Sequence, residues 1–236
     1  QLTPELLAHH WTDRAVAALV ATPSNPTGTM IPLEHIAAMA EQTAQRHGVL
    51  IVDEIYHGLV YDGETRTALE VSDDVFVINS FSKYFNMTGW RLGWMVAPET
   101  YVRDVEKLTQ NVYLSASAPA QQAALAAFEP QTLALLDERR EAFRARRDYL
   151  VPALRKLGFD IPQTPVGAFY IYAGCARLTR DSYQFSLDVL EHAGVAIAPG
   201  IDFGRYRATE HVRFAYTNSI ERLKEGVRRL EKFIAR

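Results

Sequence analysis

The 236 residues hold one cysteine, Cys175, so no disulfide can form within the chain. No stretch of about 18 uncharged apolar residues occurs, which argues against a membrane-spanning helix. Neither sign of charge dominates: 25 Lys and Arg stand against 28 Asp and Glu, a net charge of −3. Without a strongly basic face or tail, nucleic acid and anionic membrane are poor partners, and small molecules are better ones. There is no internal repeat, no low-complexity tract and no helix-turn-helix pattern. The opening QLTPELLAHHW has no basic segment leading into an apolar run, unlike a secretory leader, and the expected location is cytoplasmic. What is present is a 48% apolar share, enough for a real core.

Strand-like and helix-like segments alternate through the first half. AVAALVATP (15–23) is a continuous apolar run closed by Pro23, as expected of a strand buried on both faces. PLEHIAAMAEQTAQRHG (32–48) reads as a helix with Pro32 near its first turn and Gly48 as its stop. VLIVDEIY (49–56), VFVINSFS (75–82) and RLGWMVAP (91–98) are further strand candidates, and 117–130 is a helix. This rhythm predicts an α/β fold with a mostly parallel sheet over 1–130. From 131 the character changes to a long charged helix with a kink or break at Pro152, then shorter strands and two helices. That pattern predicts a smaller α+β domain over 131–236.

Polar residues that apolar patterning does not require stand at the ends of several strand candidates. In open α/β sheets, ligands sit outside the carboxyl ends of the strands. Asn25 lies in SNPTG after the first strand, and Asp53 ends the second with Tyr56 three residues on. Ser80, Ser82 and Lys83 follow the third, and Arg91 precedes the fourth. Arg213 interrupts the apolar run HVRFAY. Taken alone, each has an ordinary structural explanation: a turn, a helix cap, a solvated lysine or a salt bridge. Together they supply two hydroxyls and a forked guanidinium for a phosphate, and an amine nucleophile in Lys83. They also supply an acid for a ring nitrogen, hydrogen bonds for a phenolic oxygen, and a guanidinium clamp for a carboxylate. Pyridoxal 5'-phosphate asks for that set.

The motifs NPTG (25–28), DEIY (53–56), SFSK (80–83), MTGWRLGW (87–94), GAFY (167–170) and HVRFAY (211–216) stand in an order and spacing similar to the class I and II aminotransferases. These are fold type I pyridoxal phosphate enzymes, like aspartate aminotransferase. The resemblance covers nearly the whole chain. It implies that Lys83 carries the cofactor as a Schiff base and that Asp53 pairs with the pyridine nitrogen. Asn25 and Tyr56 would bond the ring oxygen, Ser80, Ser82 and Arg91 the phosphate, and Arg213 the substrate α-carboxylate. The implied reaction is ping-pong transamination between an amino acid and a 2-oxo acid, in a homodimer. In the family a preceding segment adds a phosphate loop, a stacking aromatic and further sheet strands. The strands found here would then be contiguous and central, the last antiparallel, and as an isolated chain they would expose two sheet edges.

Other chemistries fit less well. Ser80 to Lys83 reads as S-x-x-K, but no K-T-G element follows it, which argues against a penicillin-recognising serine hydrolase. C–S lyases and decarboxylases share the fold and the lysine, and an inactive or regulatory cofactor-binding fragment is the third reading. Between Lys107 and Gln121 there is no arginine for a second substrate carboxylate, although Arg205 or Arg207 could serve from elsewhere.

Overall fold

The structure is a computed structural model and describes residues 1–235. The chain forms two compact units. One comprises Gln1–Ser24 and Thr29–Arg140, and the other Asn25–Gly28 together with the chain from Glu141 onward.

The first unit opens with helix α1 (Pro4–His10), whose N-cap Thr3 accepts from the Leu6 amide. Strand β1 (Ala17–Ala21), helix α2 (Leu33–Gln45) and strand β2 (Val49–Asp53) follow, then β3 (Val75–Ser80) and β4 (Gly93–Val96). They form one sheet in the order β1-β2-β3-β4, parallel from β1 to β3 and antiparallel at β4. Ala18, Leu50 and Val75 align across it, as do Val20, Val52 and Val77. Alternation puts these residues on one face, and they are buried with Ile36 and Met39 of α2.

The opposite face is more open. Leu19 of β1 is 65% exposed, so the continuous apolar run of β1 is covered on one face and not on both as expected. All of β4 is exposed as well. Helix α3 (Glu99–Val112) has no buried residue, although the Tyr101 ring lies 5.3 Å from that of Phe76. Helix α4 (Ala118–Leu125) contributes Ala120 and Ala124 to a second small core with Phe81 and Leu92.

Helix α5 runs from Pro130 to Lys156, and the division between the units falls inside it. It continues through Pro152, contrary to the expected break. Pro152 lies inside the helix and gives up the amide hydrogen bond that another residue there would donate. In the second unit, β5 (Tyr170–Gly174), β6 (Ala198–Pro199) and β7 (His211–Ala215) make an antiparallel sheet in the order β5-β7-β6. Helices α6 (Ser182–Ala193) and α7 (Ile220–Ile234) complete it. Asp181 caps α6 by accepting from the Tyr183 and Gln184 amides, and Gly194 ends it in the left-handed region. The rings of Phe159, Phe185 and Phe214 pack edge to face in its core.

Segment 25–28 is fastened to this second unit through Gly28. The Gly28 carbonyl accepts from the amides of Val166 and Gly167, each at 3.0 Å. Its φ of +66° and the 2.6 Å that would separate an added Cβ from the Pro165 Cβ both require glycine.

Candidate active site

The carboxyl ends of β2 and β3 gather the predicted residues of the first unit. Side chains alternate along a strand, so Asp53, Ile78 and Ser80 share the open face of the sheet. Asp53 Oδ1 accepts from the Ile55 amide at 3.0 Å, which fixes its carboxylate at the strand end. Burial pushes the Asp53 pKa up, while the Ile55 amide and the charge of Lys83 pull it back. A partly desolvated acid of this kind fits a protonated ring nitrogen, which would supply the positive partner it needs. Tyr56 is buried at the start of the next turn, and Lys83 Nζ lies 5.9 Å from the centre of its ring.

Ser80 and Ser82 are joined. Their hydroxyl oxygens are 3.0 Å apart, and the Ser82 amide donates to Ser80 Oγ. The Ser80 hydroxyl also lies 3.1 Å from the Leu92 carbonyl, which ties the β3 end to the start of β4. Arg91 has φ 53° and ψ 50°, a left-handed conformation uncommon for a residue with a side chain. Its Nη1 donates to the Thr88 carbonyl at 3.0 Å, and Thr88 Oγ1 donates to the Ser82 carbonyl at 2.6 Å. The two serines and Arg91 are thereby laced into one loop, a donor set suited to an oxyanion such as phosphate.

The other two predicted residues, Asn25 and Arg213, meet in the second unit. Arg213 Nη1 donates to Asn25 Oδ1 at 2.9 Å. The guanidinium carbon lies 4.3 Å from the centre of the Tyr170 ring and 4.6 Å from that of Phe203, so the fork is held by aromatic faces. Its Nε is buried with no hydrogen-bond partner among the described residues. Spending Asn25 Oδ1 on Arg213 leaves the Asn25 amide hydrogens to donate elsewhere. Arg207 is committed to Glu210 through bonds of 2.9 and 2.6 Å, which weakens it as a second carboxylate anchor.

Several contributors were not legible in the sequence. Thr88 had no signal beyond its place in the MTGW motif. Tyr170 stood in the GAFY motif, but the stacking of Tyr170 and Phe203 on Arg213 depends on how the second unit folds. Behind Asp53, buried Glu54 accepts from the Ala68 amide at 2.7 Å and from Thr67 Oγ1 at 3.2 Å. His57 Nδ1 lies 3.3 Å from its other oxygen. Burial lowers the His57 pKa to about 4, so the ring is neutral at pH 7 and this contact is no ion pair there. No cluster of His, Cys, Asp and Glu able to hold a metal exists among the described residues.

Comparison with known proteins gives a consistent answer. The family model "Aminotransferase class I and II" matches residues 6–230. A valine–pyruvate aminotransferase of Mycobacterium tuberculosis is 41% identical over 92% of this chain and 56% of its own length. A (5-formylfuran-3-yl)methyl phosphate transaminase of Methanocaldococcus jannaschii is 33% identical over 98% of this chain and 61% of its own. The crystal structure of an aminotransferase from Mycobacterium tuberculosis superposes on the whole chain with a TM-score of 0.95 and 40% identity, and 61% of that chain is covered. The chain thus spans about three-fifths of the length of the relatives it matches.

Proposed function

Because this chain belongs to the class I and II aminotransferase family, we propose that it works as part of a pyridoxal phosphate-dependent aminotransferase. When bound, that cofactor supplies an aldehyde and an electron-withdrawing ring. In this reading the amine of Lys83 would hold the cofactor through that aldehyde. Once released by the substrate's amine, Lys83 would be the base that takes the proton from the substrate Cα. Asp53 holds the proton on the ring nitrogen, and Tyr56 and the Asn25 amide donate to the ring oxygen. Ser80 and Ser82 would hold the phosphate through their hydroxyls, and Arg91 through a guanidinium tied to the Thr88 carbonyl. Arg213 grips the α-carboxylate with its aromatic-backed fork. The first product leaves before the second substrate enters, which gives ping-pong kinetics, and the assembly is a homodimer.

The observation that carries this reading is the placing of Asp53, Tyr56 and Lys83 beside the Ser80–Ser82–Arg91 loop at the ends of β2 and β3. The substrate we propose is an amino acid with a single carboxylate. Residues 107–121 hold no arginine, Arg207 is occupied by Glu210, and the relative named for valine and pyruvate agrees with that choice. The test is a half-reaction with one amino donor and no oxo acid. Stoichiometric conversion of the cofactor to its amine form, with one equivalent of the matching oxo acid, is expected from valine or alanine and much less from aspartate. Pyruvate and ammonia released from a cysteine conjugate would instead point to lyase chemistry.

A further inference from the structure

The lysine has a neighbour whose placement the cofactor chemistry above leaves unexplained. Tyr84 carries its hydroxyl to helix α5, where it donates to Asp137 Oδ1 at 2.8 Å, and Asp137 is itself held by Arg140 Nη1 at 3.1 Å. Burial and this carboxylate together push the phenol's pKa up to about 12, so the hydroxyl remains a donor across the physiological range. The ring rests on Gly58, in the short 3-10 turn His57–Leu59 just after Tyr56. A Cβ added at Gly58 would run into Tyr84 Cγ and stand 2.6 Å from its Cβ and 2.7 Å from its Cδ1. Gly58 does not have a positive φ, so it is glycine for space and not for backbone conformation.

The contact thus joins the two loops that bear the site's chemistry, with Tyr56 close on one side and Lys83 adjacent on the other. The backbone around Lys83 is pinned on its remaining sides. The Lys83 carbonyl accepts from the Asn86 amide at 3.1 Å, and the Ser82 carbonyl is held by Thr88. The Phe85 ring packs against Phe81 and Phe128 at 4.9 and 5.5 Å. The Tyr84 ring spans from this turn to the Tyr56 turn through a contact with no room to spare.

We propose that Tyr84 is a positioning residue for Lys83. Its ring, seated on Gly58 and tied down by Asp137, sets the spacing between the 82–86 and 56–59 turns, and so the reach of Lys83 Nζ toward the aldehyde carbon it attacks. In that step a C–N bond forms and the aldehyde oxygen leaves as water. The inference rests on the role proposed above for Lys83. A displacement of about 1 Å at a reacting group is enough to cost one to two orders of magnitude.

The experiment measures how fast Lys83 becomes modified when the full chain is mixed with pyridoxal phosphate. Samples are quenched with borohydride and the Lys83 peptide is weighed, across a range of pH. Circular dichroism verifies that each variant is folded. Gly58→Ala should slow modification on the order of tenfold. Tyr84→Phe, which keeps the ring and loses the tie, should slow it less and shift the pH of half-maximal modification. Gly58→Ala combined with Tyr84→Ala removes the collision and should recover part of the loss seen in Gly58→Ala alone, a coupling that independent sites do not show. Unchanged rates and pH profiles in every variant, or losses that simply add in the double variant, would overturn the positioning role and leave the function of Lys83 standing. Absence of modification at Lys83 in the unaltered chain would overturn both.

Discussion

Arg213 and Asn25 are 188 positions apart in sequence and 2.9 Å apart through a hydrogen bond between their side chains. The bond fixes one arm of the guanidinium, and the rings of Tyr170 and Phe203 fix its plane. A lysine would keep the charge but lose the fork and the stacking. Arg213→Lys is therefore expected to lower kcat/KM for amino acids by on the order of a hundredfold, while cofactor affinity stays near that of the unaltered protein. Steady-state kinetics and a cofactor titration check the two halves separately. An equal loss in both would contradict the assignment of Arg213 to the substrate.

Arg91 offers a cleaner separation of stability from binding. Its left-handed backbone suits glycine better than any residue with a side chain. Arg91→Gly gives up the bond to the Thr88 carbonyl but relieves the backbone, so stability should change by less than about 1 kcal/mol. The affinity for pyridoxal phosphate should fall at least about tenfold, and that for pyridoxal without its phosphate should not. Parallel titrations with the two compounds decide it.

Acid should weaken the first unit through His57. Burial takes its pKa from 6.5 down to about 4, so between those values the unfolded chain binds more protons than the folded one. The stability held by the neutral ring is complete above pH 6.5 and is lost as the pH falls through about 4. Each pKa unit corresponds to about 1.4 kcal/mol. Glu54 acts in the opposite sense: burial raises its pKa, so its ionisation costs stability as pH rises from 4.5. In His57→Gln, thermal melts between pH 4 and 6.5 should lose the acid-side fall and keep the opposing trend of Glu54 and Asp53, whose raised pKa values cost stability as pH rises. An undiminished fall in that variant would show that another group titrates.

Strands β1 and β4 end the four-stranded sheet, and neither has an outer partner among the described residues. Around them Val16, Leu19, Trp94, Met95 and Val96 are exposed, as are Tyr101, Leu108 and Val112 of α3. Open edges beside apolar side chains invite pairing with other chains. A protein consisting of residues 1–236 alone should therefore self-associate at micromolar concentration in sedimentation experiments. A well-behaved monomer with cofactor bound would contradict this.

These exposed residues also mark where the sequence stops being informative. Apolar runs closed by turn residues identified β1, β2 and β3, and the resemblance placed β4 beside them, antiparallel. The runs could not say what covers their second face, because composition records what is apolar and not what lies against it. Helix α3 left no clear sign, since Tyr101, Val102 and Leu108 alternate with charged residues and bury nothing. Asp53 and Lys83 could be read because polar groups at strand ends break an apolar pattern. Tyr84 and Gly58 could not, because an aromatic and a glycine are unremarkable until the fold presses one on the other.

The most direct test concerns Lys83 itself. The protein is saturated with pyridoxal phosphate, reduced with borohydride, digested and weighed peptide by peptide. A single pyridoxyl group on Lys83, absent from Lys83→Ala together with transaminase turnover, is the expected result. A pyridoxyl group on Lys107, Lys156, Lys224 or Lys232 instead, or normal turnover in Lys83→Ala, would contradict the central assignment.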